Sequence, residues 1–112
     1  MVDLSFLEKF SKGDTKKMKR YIALYLDMPP KTFKEMQLNL ENKDWEQLRI
    51  NAHSLKPQAD FMGISSLKNV LVKIEEAVKE KKLDDIHEYF TPAQRISINS
   101  TKSLKNMLIE LK

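Results

Sequence analysis

The chain of 112 residues contains no cysteine, only two glycines and four prolines, and few aromatic residues (8%). The absence of cysteine excludes disulfides, thiolate catalysis and cysteine-bound metals. The scarcity of glycine and proline, set against abundant Leu, Lys, Glu and Met, favours helices over strands and turns. The composition therefore predicts an all-α protein.

Long apolar runs are also missing. No window approaches the roughly 18 apolar residues of a membrane span, and Met1 to Phe6 lack the basic and apolar regions of a signal peptide. We therefore expect a cytoplasmic protein without a membrane partner. With 41% apolar residues, residues 1–112 are expected to form a single domain, because two halves would be too small to bury useful cores.

Charge of one sign does not dominate the chain. The net charge of +4 raises nucleic-acid binding as a function, but Lys is interspersed with Glu and Asp along most predicted helices, which is typical of solvated faces. The most basic cluster has no recognition motif beside it; it consists of Lys12, Lys16, Lys17, Lys19 and Arg20. We expect no nucleic-acid partner, and the cluster is a candidate for attracting an acidic protein.

The first half of the chain shows helix start and stop signals. Residues 3–11 predict a short helix that must dock on something larger, because so few residues rarely hold a helix alone. Asp14 is placed to cap the next helix, which runs to about Asp27. The Pro29-Pro30 pair ends that helix and can begin another.

The next two helices are joined by a short connection. Asp44 with Gln47 resembles a capping box that opens the first of them, and Gly63 is a candidate for its left-handed end. Ser65 or Ser66 is expected to cap the second. Two helices joined by so few residues must lie antiparallel and adjacent.

The last part of the chain contains a proline signal. Thr91-Pro92 predicts either a break between two helices or a kink in one long helix over residues 83–111, and we favour a break or kink. Together the segments predict an antiparallel up-down four-helix bundle with a short extra N-terminal helix.

Several catalytic signatures are absent. The chain has no Glu-x-x-His pairs that would converge on a metal in a bundle. It also lacks a glycine-rich phosphate loop, a nucleophile elbow and a dinucleotide fingerprint. An enzyme with its own nucleotide site is therefore not expected. Of the two histidines, His87 lies on a poorly patterned segment and is interpreted as a surface or packing residue.

His53 lies one residue past the apolar seam of its helix, about 100° off the line of greatest burial. The short connection predicts Glu75 opposite it, and Lys56 follows one turn later. Pro57 removes the amide that would bond to the His53 carbonyl, at a cost of about 3 kcal/mol. From periodicity alone the commoner interpretations are a structural histidine, a solvated lysine and a proline that bends the helix.

The motif Ala52-His53-Ser54-Leu55-Lys56, with Gly63 ten residues after the histidine, resembles the signature of histidine-containing phosphotransfer (HPt) domains. The resemblance covers about residues 14–112 and is strongest over 44–78. Pro57 departs from it, because the family most often has glycine directly after the lysine, where it leaves room for an incoming partner.

The resemblance implies that His53 accepts a phosphoryl group from a receiver aspartate and passes it to another receiver aspartate. Lys56 would screen the phosphate charge, and Glu75, if it faces His53, would orient the ring. The possible supporting positions are Pro57, Gln58 and Gly63. The implied partners are receiver domains of response regulators and of a hybrid sensor histidine kinase. No cofactor is expected on this chain, Mg²⁺ is expected only on the receiver, and we expect a monomer.

Two other functions stay open at this point. A non-phosphorylated bundle acting as a protein-binding scaffold would bind receivers without forming an acid-labile phosphohistidine. A basic nucleic-acid-binding module would show steeply salt-dependent affinity. A dimeric histidine-kinase core is less favoured than either, because its ATP-binding domain is missing.

Overall fold

The computed structural model describes residues 2–111, so Met1 and Lys112 lie outside the described residues. The described residues form the helices α1 (Ser5–Phe10), α2 (Thr15–Leu26), α3 (Met28–Glu41), α4 (Trp45–Phe61), α5 (Ser65–Lys79) and α6 (Ile86–Glu110), with a 3₁₀ turn at Leu83–Asp85. The all-α class is confirmed, and over residues 2–111 no strand forms. The up-down order of four antiparallel helices stays a prediction. No helix within this range is long and apolar enough to cross a bilayer.

One cluster of buried apolar side chains joins all six helices. The closest packing is between α4 and α5, α5 also packs along α6, and α3 packs on α4. The apolar seam that periodicity predicts for α4 begins at Trp45, which is only partly buried. Its other members are confirmed as core positions between 0% and 2% exposed; they are Leu48, Ala52, Leu55, Ala59 and Met62. Since α4 contributes a continuous buried stripe, its opposite flank is left free to carry polar side chains.

Two helix starts follow the sequence prediction. Asp14 accepts a hydrogen bond from the Lys17 amide at 3.2 Å, and Asp44 accepts one from the Gln47 amide at 3.3 Å, so both caps are confirmed. The capping box is only half formed. The Gln47 side chain donates to Asn51 at 3.4 Å, one turn along α4.

The predicted serine cap of α5 is wrong. Ile64 occupies the cap position without a side-chain hydrogen bond, and Ser65 is already the first helical residue. Ile64 is fully buried. This burial is the physical reason why α5 is capped at Ile64 and not at a serine. Packing of Ile64 fixes where the helix begins more strongly than one cap hydrogen bond does.

Of the two alternatives at Thr91-Pro92, the break is wrong and one long helix is confirmed, since α6 runs through Pro92 from Ile86 to Glu110. A kink at Pro92 stays a prediction. The residues Phe90, Ala93 and Ser97 are buried on both sides of the proline. This stripe packs against the core over its whole length, and tertiary packing of this kind outweighs a local cost of about 3 kcal/mol.

Four helices end in the same hydrogen-bonded motif, in which a residue in left-handed conformation follows the helix. In α4, the Gly63 amide donates to Asp60 and the Ile64 amide donates to Ala59. The same pair of bonds closes α1, α3 and α5. The left-handed residues of those three ends have φ between 54° and 59° and are Lys12, Lys43 and Lys81.

Gly63 differs from the three lysines because another part of the chain lies against it. The Asp3 amide donates to the Gly63 carbonyl at 3.1 Å. A Cβ at Gly63, whose φ is 69°, would overlap the backbone carbonyl of Asp3. The predicted left-handed end is therefore confirmed, and it also admits the N-terminal segment to the α4–α5 turn.

Candidate functional site

His53 and Glu75 face each other across α4 and α5. The His53 Nδ1 lies 2.6 Å from the Glu75 Oε2, so the predicted placement of Glu75 is confirmed. The side chain of His53 is 63% exposed, whereas that of Glu75 is 6% exposed. The connection of three residues between the helices brings positions ten before and twelve after Gly63 to the same level. One nitrogen of the ring is thus held, and the ring still meets solvent.

Lys56 joins the same carboxylate. Its Nζ donates to the Glu75 Oε1 at 2.9 Å, and the side chain is 26% exposed. Lys79, one turn after Glu75 on α5, places its Nζ 4.0 Å from Oε2. The buried carboxylate therefore has three cationic or hydrogen-bonding neighbours, which satisfies the general rule that buried charges are paired.

Burial raises the pKa of Glu75, but hydrogen bonds from Lys56 and His53 and the charge of Lys56 outweigh this effect and leave the pKa below its usual value. Glu75 is therefore an ionised acceptor near neutral pH. Because a carboxylate only accepts, the Nδ1 of His53 must carry the hydrogen. In the neutral ring the lone pair then belongs to Nε2.

The remaining predicted site residues lie in different places. Pro57 is exposed inside α4, one turn after His53. Gly63 lies at the end of α4, where it positions the turn. Gln58 lines a surface groove between α1, α2 and α4. Among the side-chain hydrogen bonds of residues 2–111, none joins Gln58 to His53, Lys56 or Glu75.

Sequence reasoning missed two features near the site. Lys79 was detectable, because its spacing of four residues from Glu75 places both on one face of α5. The second feature is a side-chain bond of 2.8 Å from Asn51 to Asn39, which ties α4 to α3. No local signal marks that pair, since it depends on how the two helices are rotated against each other. Within residues 2–111, no three His, Asp or Glu side chains gather as metal ligands would.

The family model described as the Hpt domain matches residues 20–112. The chain belongs to the Hpt family. Searches of curated proteins and of solved structures returned no significant match.

Membership of the Hpt family defines the general role of the chain. Hpt domains carry phosphoryl groups in two-component signalling and interact with receiver domains. They are phosphotransfer carriers, not enzymes with a nucleotide site. The match covers the whole of α3 to α6, and therefore both helices of the His53–Glu75 pair. Residues 2–19, which include α1, lie before the matched part.

Proposed function

We propose that His53 is the phosphoacceptor of a relay that takes a phosphoryl group from one receiver aspartate and gives it to another. The observation that carries this proposal is the hydrogen bond of 2.6 Å between the His53 Nδ1 and Glu75. It leaves Nε2 as the nucleophile of an exposed ring. A neutral imidazole nitrogen held in one orientation is suited to nucleophilic attack near pH 7.

In the proposed step, the Nε2 lone pair of His53 attacks the phosphorus of the aspartyl phosphate. The N–P bond forms as the P–O bond to the aspartate breaks, and the carboxylate leaves with the bonding electrons. The ring gains positive charge while its Nδ1 hydrogen stays on the bond to Glu75. The ionised carboxylate stabilises that charge, so Glu75 is a positioning residue that favours the product.

We assign Lys56 to charge screening of the transferred group. Its ammonium group lies one turn from His53 and is held by Glu75 at 2.9 Å in the resting protein. A phosphoryl dianion on Nε2 would attract the same ammonium group, and three rotatable donors allow it to serve both anions. Phosphoryl transfer depends mainly on such positioning and charge stabilisation.

The receiver is proposed to dock on the exposed flank of α4 around His53. Ile50, which is 44% exposed, lies one turn before the histidine, and Pro57 lies one turn after it. These two side chains would exclude water on either side of the ring. Pro57 also gives this flank more bulk than the glycine usual in the family, so it would select which receivers fit.

We propose that the chain itself needs no cofactor and that Mg²⁺ is supplied by the receiver. The cytoplasmic location and the monomeric state stay predictions. Transfer between two receivers is the more specific part of the proposal. It requires His53 first to accept a phosphoryl group from one receiver and then to donate it to another.

The test is transfer of labelled phosphate from a phosphorylated receiver to the purified chain. The wild-type chain should gain an acid-labile, base-stable label, and His53→Gln should gain none. His87→Gln is the matched control, because His87 is the other histidine and lies exposed on α6. Lys56→Gln should transfer about ten- to a hundredfold more slowly. A label on the His53→Gln variant would defeat the assignment.

A further inference from the structure

A second surface of the molecule has features that phosphotransfer at His53 does not use. The helices α1, α2 and the second half of α4 enclose an open groove of about 400 Å³. Its walls are aromatic. The Phe61 ring meets Phe10 at a centroid distance of 5.2 Å and Tyr21 at 5.7 Å, both edge to face. We refer to this feature as the α1–α2–α4 groove.

The rim of the groove exposes large apolar side chains. Phe10 is 54% exposed and Leu24 is 61% exposed, and Met28 lies beside them at 37%. Single exposed apolar residues are ordinary, but a contiguous set around a concave surface is typical of a binding site. The concave shape favours a partner that inserts side chains.

The groove lies mostly away from the His53 side of α4. Gln58, Phe61 and Met62 line it. At 100° per residue they are rotated by about 140°, 80° and 180° from His53. Glu75, in contrast, approaches His53 from α5. Phe10, which forms one wall of the groove, also lies outside residues 20–112, which match the Hpt family.

The positive charge of the chain is concentrated in the segment that contributes Phe10 to this groove. Residues 9–20 include six Lys or Arg and one acid, Asp14, so this short stretch carries a net charge of +5. The whole chain carries +4, and the remainder is therefore slightly acidic. The same stretch contains Phe10 and leads directly into the groove-lining part of α2. An apolar groove joined to a basic segment complements an acidic partner with apolar side chains.

We propose that the α1–α2–α4 groove binds an acidic amphipathic helix of a protein partner other than the receiver. Its apolar side chains would enter the groove, in the helix-in-groove mode, while its carboxylates pair with the lysines of residues 9–20. An anionic membrane or a nucleic acid would also meet the basic charge. The shape of the groove disfavours both of these partners. Its aromatic rings pack edge to face on one another and form the walls of a concavity.

The test measures binding of a synthetic helical peptide of about 18 residues to the intact protein. The peptide has Leu at helical spacing and Glu at the exposed positions, and a second peptide carries Lys in place of Glu. Fluorescence anisotropy gives the affinity, and amide chemical shifts give the location. We expect saturable binding of the acidic peptide alone, with shifts clustered on Phe10, Tyr21, Leu24 and Phe61.

Two variants with the same charge change separate the groove from general electrostatics. Leu24→Glu should weaken peptide binding at least about tenfold. Leu38→Glu, on the half-exposed flank of α3 at 50%, should leave it within about twofold. Both residues are well exposed, and circular dichroism checks that each variant folds. Lys17→Glu is a second disruptive variant. It removes positive charge from residues 9–20 and should also weaken binding of the acidic peptide.

Three binding results would overturn the proposal. They are absence of saturable binding, equal binding by Leu24→Glu and the wild type, and a groove-dependent preference for phosphatidylserine vesicles or duplex DNA over the peptide. The outcome is independent of the relay, because His53→Gln should bind the peptide as the wild type does. If Leu24→Glu also abolished transfer from the receiver, the groove would belong to receiver docking and the separate partner would be wrong.

Discussion

Glu75 links the side chains of His53 and Lys56. One of its oxygens accepts from the His53 Nδ1 at 2.6 Å and the other from the Lys56 Nζ at 2.9 Å. A buried carboxylate with partners on both oxygens costs little to bury, whereas one that loses a partner becomes expensive. The same residue therefore contributes to the fold of the α4–α5 pair and to the orientation of the ring.

Glu75 gives the stability of the protein a dependence on acid. Its pKa in the folded state lies below the unfolded value of about 4.3. Its contribution is therefore complete above that unfolded value and is lost as the pH falls through the folded pKa. Glu75→Gln should lower the free energy of unfolding at pH 7 by about 1–3 kcal/mol and should flatten the loss of stability below about pH 4.3.

Denaturant unfolding at several pH values measures this effect. Glu76→Gln is the control, because Glu76 is the exposed neighbour on α5, and its removal should change neither the stability nor the slope appreciably. If the stability of the wild type and of Glu75→Gln depended equally on acid pH, Glu75 would not be an ionised carboxylate that accepts two hydrogen bonds.

The buried hydroxyl of Tyr25 lowers the stability of the fold. It is 3% exposed, and within residues 2–111 its hydroxyl has no hydrogen-bond partner. Burial also raises its pKa. Because an unsatisfied buried hydroxyl is costly, Tyr25→Phe should raise the free energy of unfolding by about 1 kcal/mol. Tyr21→Phe, at a half-buried position, is the comparison in chemical denaturation. A marked loss of stability in Tyr25→Phe would reveal a partner for the hydroxyl.

The placement of a single residue could be predicted only when it depends on a nearby part of the chain. Glu75 could be placed opposite His53 because the short turn fixes the level at which the two helices meet. The state of the Tyr25 hydroxyl and the bond between Asn39 and Asn51 could not be predicted. Both depend on the rotation of packed helices, which sequence periodicity defines only approximately.

At the scale of elements, the end of α4 combines two constraints on Gly63. The left-handed φ of 69° disfavours any side chain, and the carbonyl of Asp3 occupies the place of a Cβ. Gly13 has a similar φ of 74°, but no atom lies within 4 Å of its virtual Cβ. A comparison of the two glycines therefore separates the effect of left-handed backbone conformation from the effect of close packing.

Gly63→Ala should therefore cost more than Gly13→Ala. We expect about 1 kcal/mol for Gly13→Ala, from the left-handed conformation alone. For Gly63→Ala we expect about 3 kcal/mol, because the N-terminal segment must also move. Urea unfolding measures both, and amide exchange at Asp3 should be faster only in Gly63→Ala. Equal costs would show that the contact with Asp3 contributes nothing.

Element boundaries were predictable where one local rule applied without competition. Asp14, Asp44 and Gly63 mark their helix ends as the sequence predicts. The serine cap of α5 was predicted wrongly, and the sequence could not decide between a break at Pro92 and one long helix. In both places burial, of Ile64 and of the stripe around Phe90, outweighs the local preference. Local signals therefore decide only where packing leaves a choice.

The described part of the molecule is an elongated body of 45 × 20 × 19 Å around one apolar cluster. Its radius of gyration of 14.6 Å exceeds the value of about 13 Å for a compact chain of this length. The helical class was predictable because composition and periodicity agree. The groove was not, since it arises from the docking of α1 on α2 and α4.

A single core predicts cooperative unfolding of the whole chain. Far-ultraviolet circular dichroism and the fluorescence of Trp45 should report one coincident thermal transition, with an enthalpy of about 80 kcal/mol near 60 °C. Trp45 begins α4 and packs against the core, so it reports on tertiary structure. Calorimetric and van't Hoff enthalpies should agree. Separate transitions would contradict the expectation of one domain.

The three helix ends that carry lysine in left-handed conformation have a consequence for how this protein can change. Each of Lys12, Lys43 and Lys81 forgoes about 1 kcal/mol that glycine would recover. Lys12 and Lys43 end α1 and α3, and Lys81 lies beyond the last turn of α5, six residues after Glu75. Replacing these lysines by glycine would therefore stabilise the scaffold. That gain could compensate for destabilising substitutions at the two proposed docking surfaces.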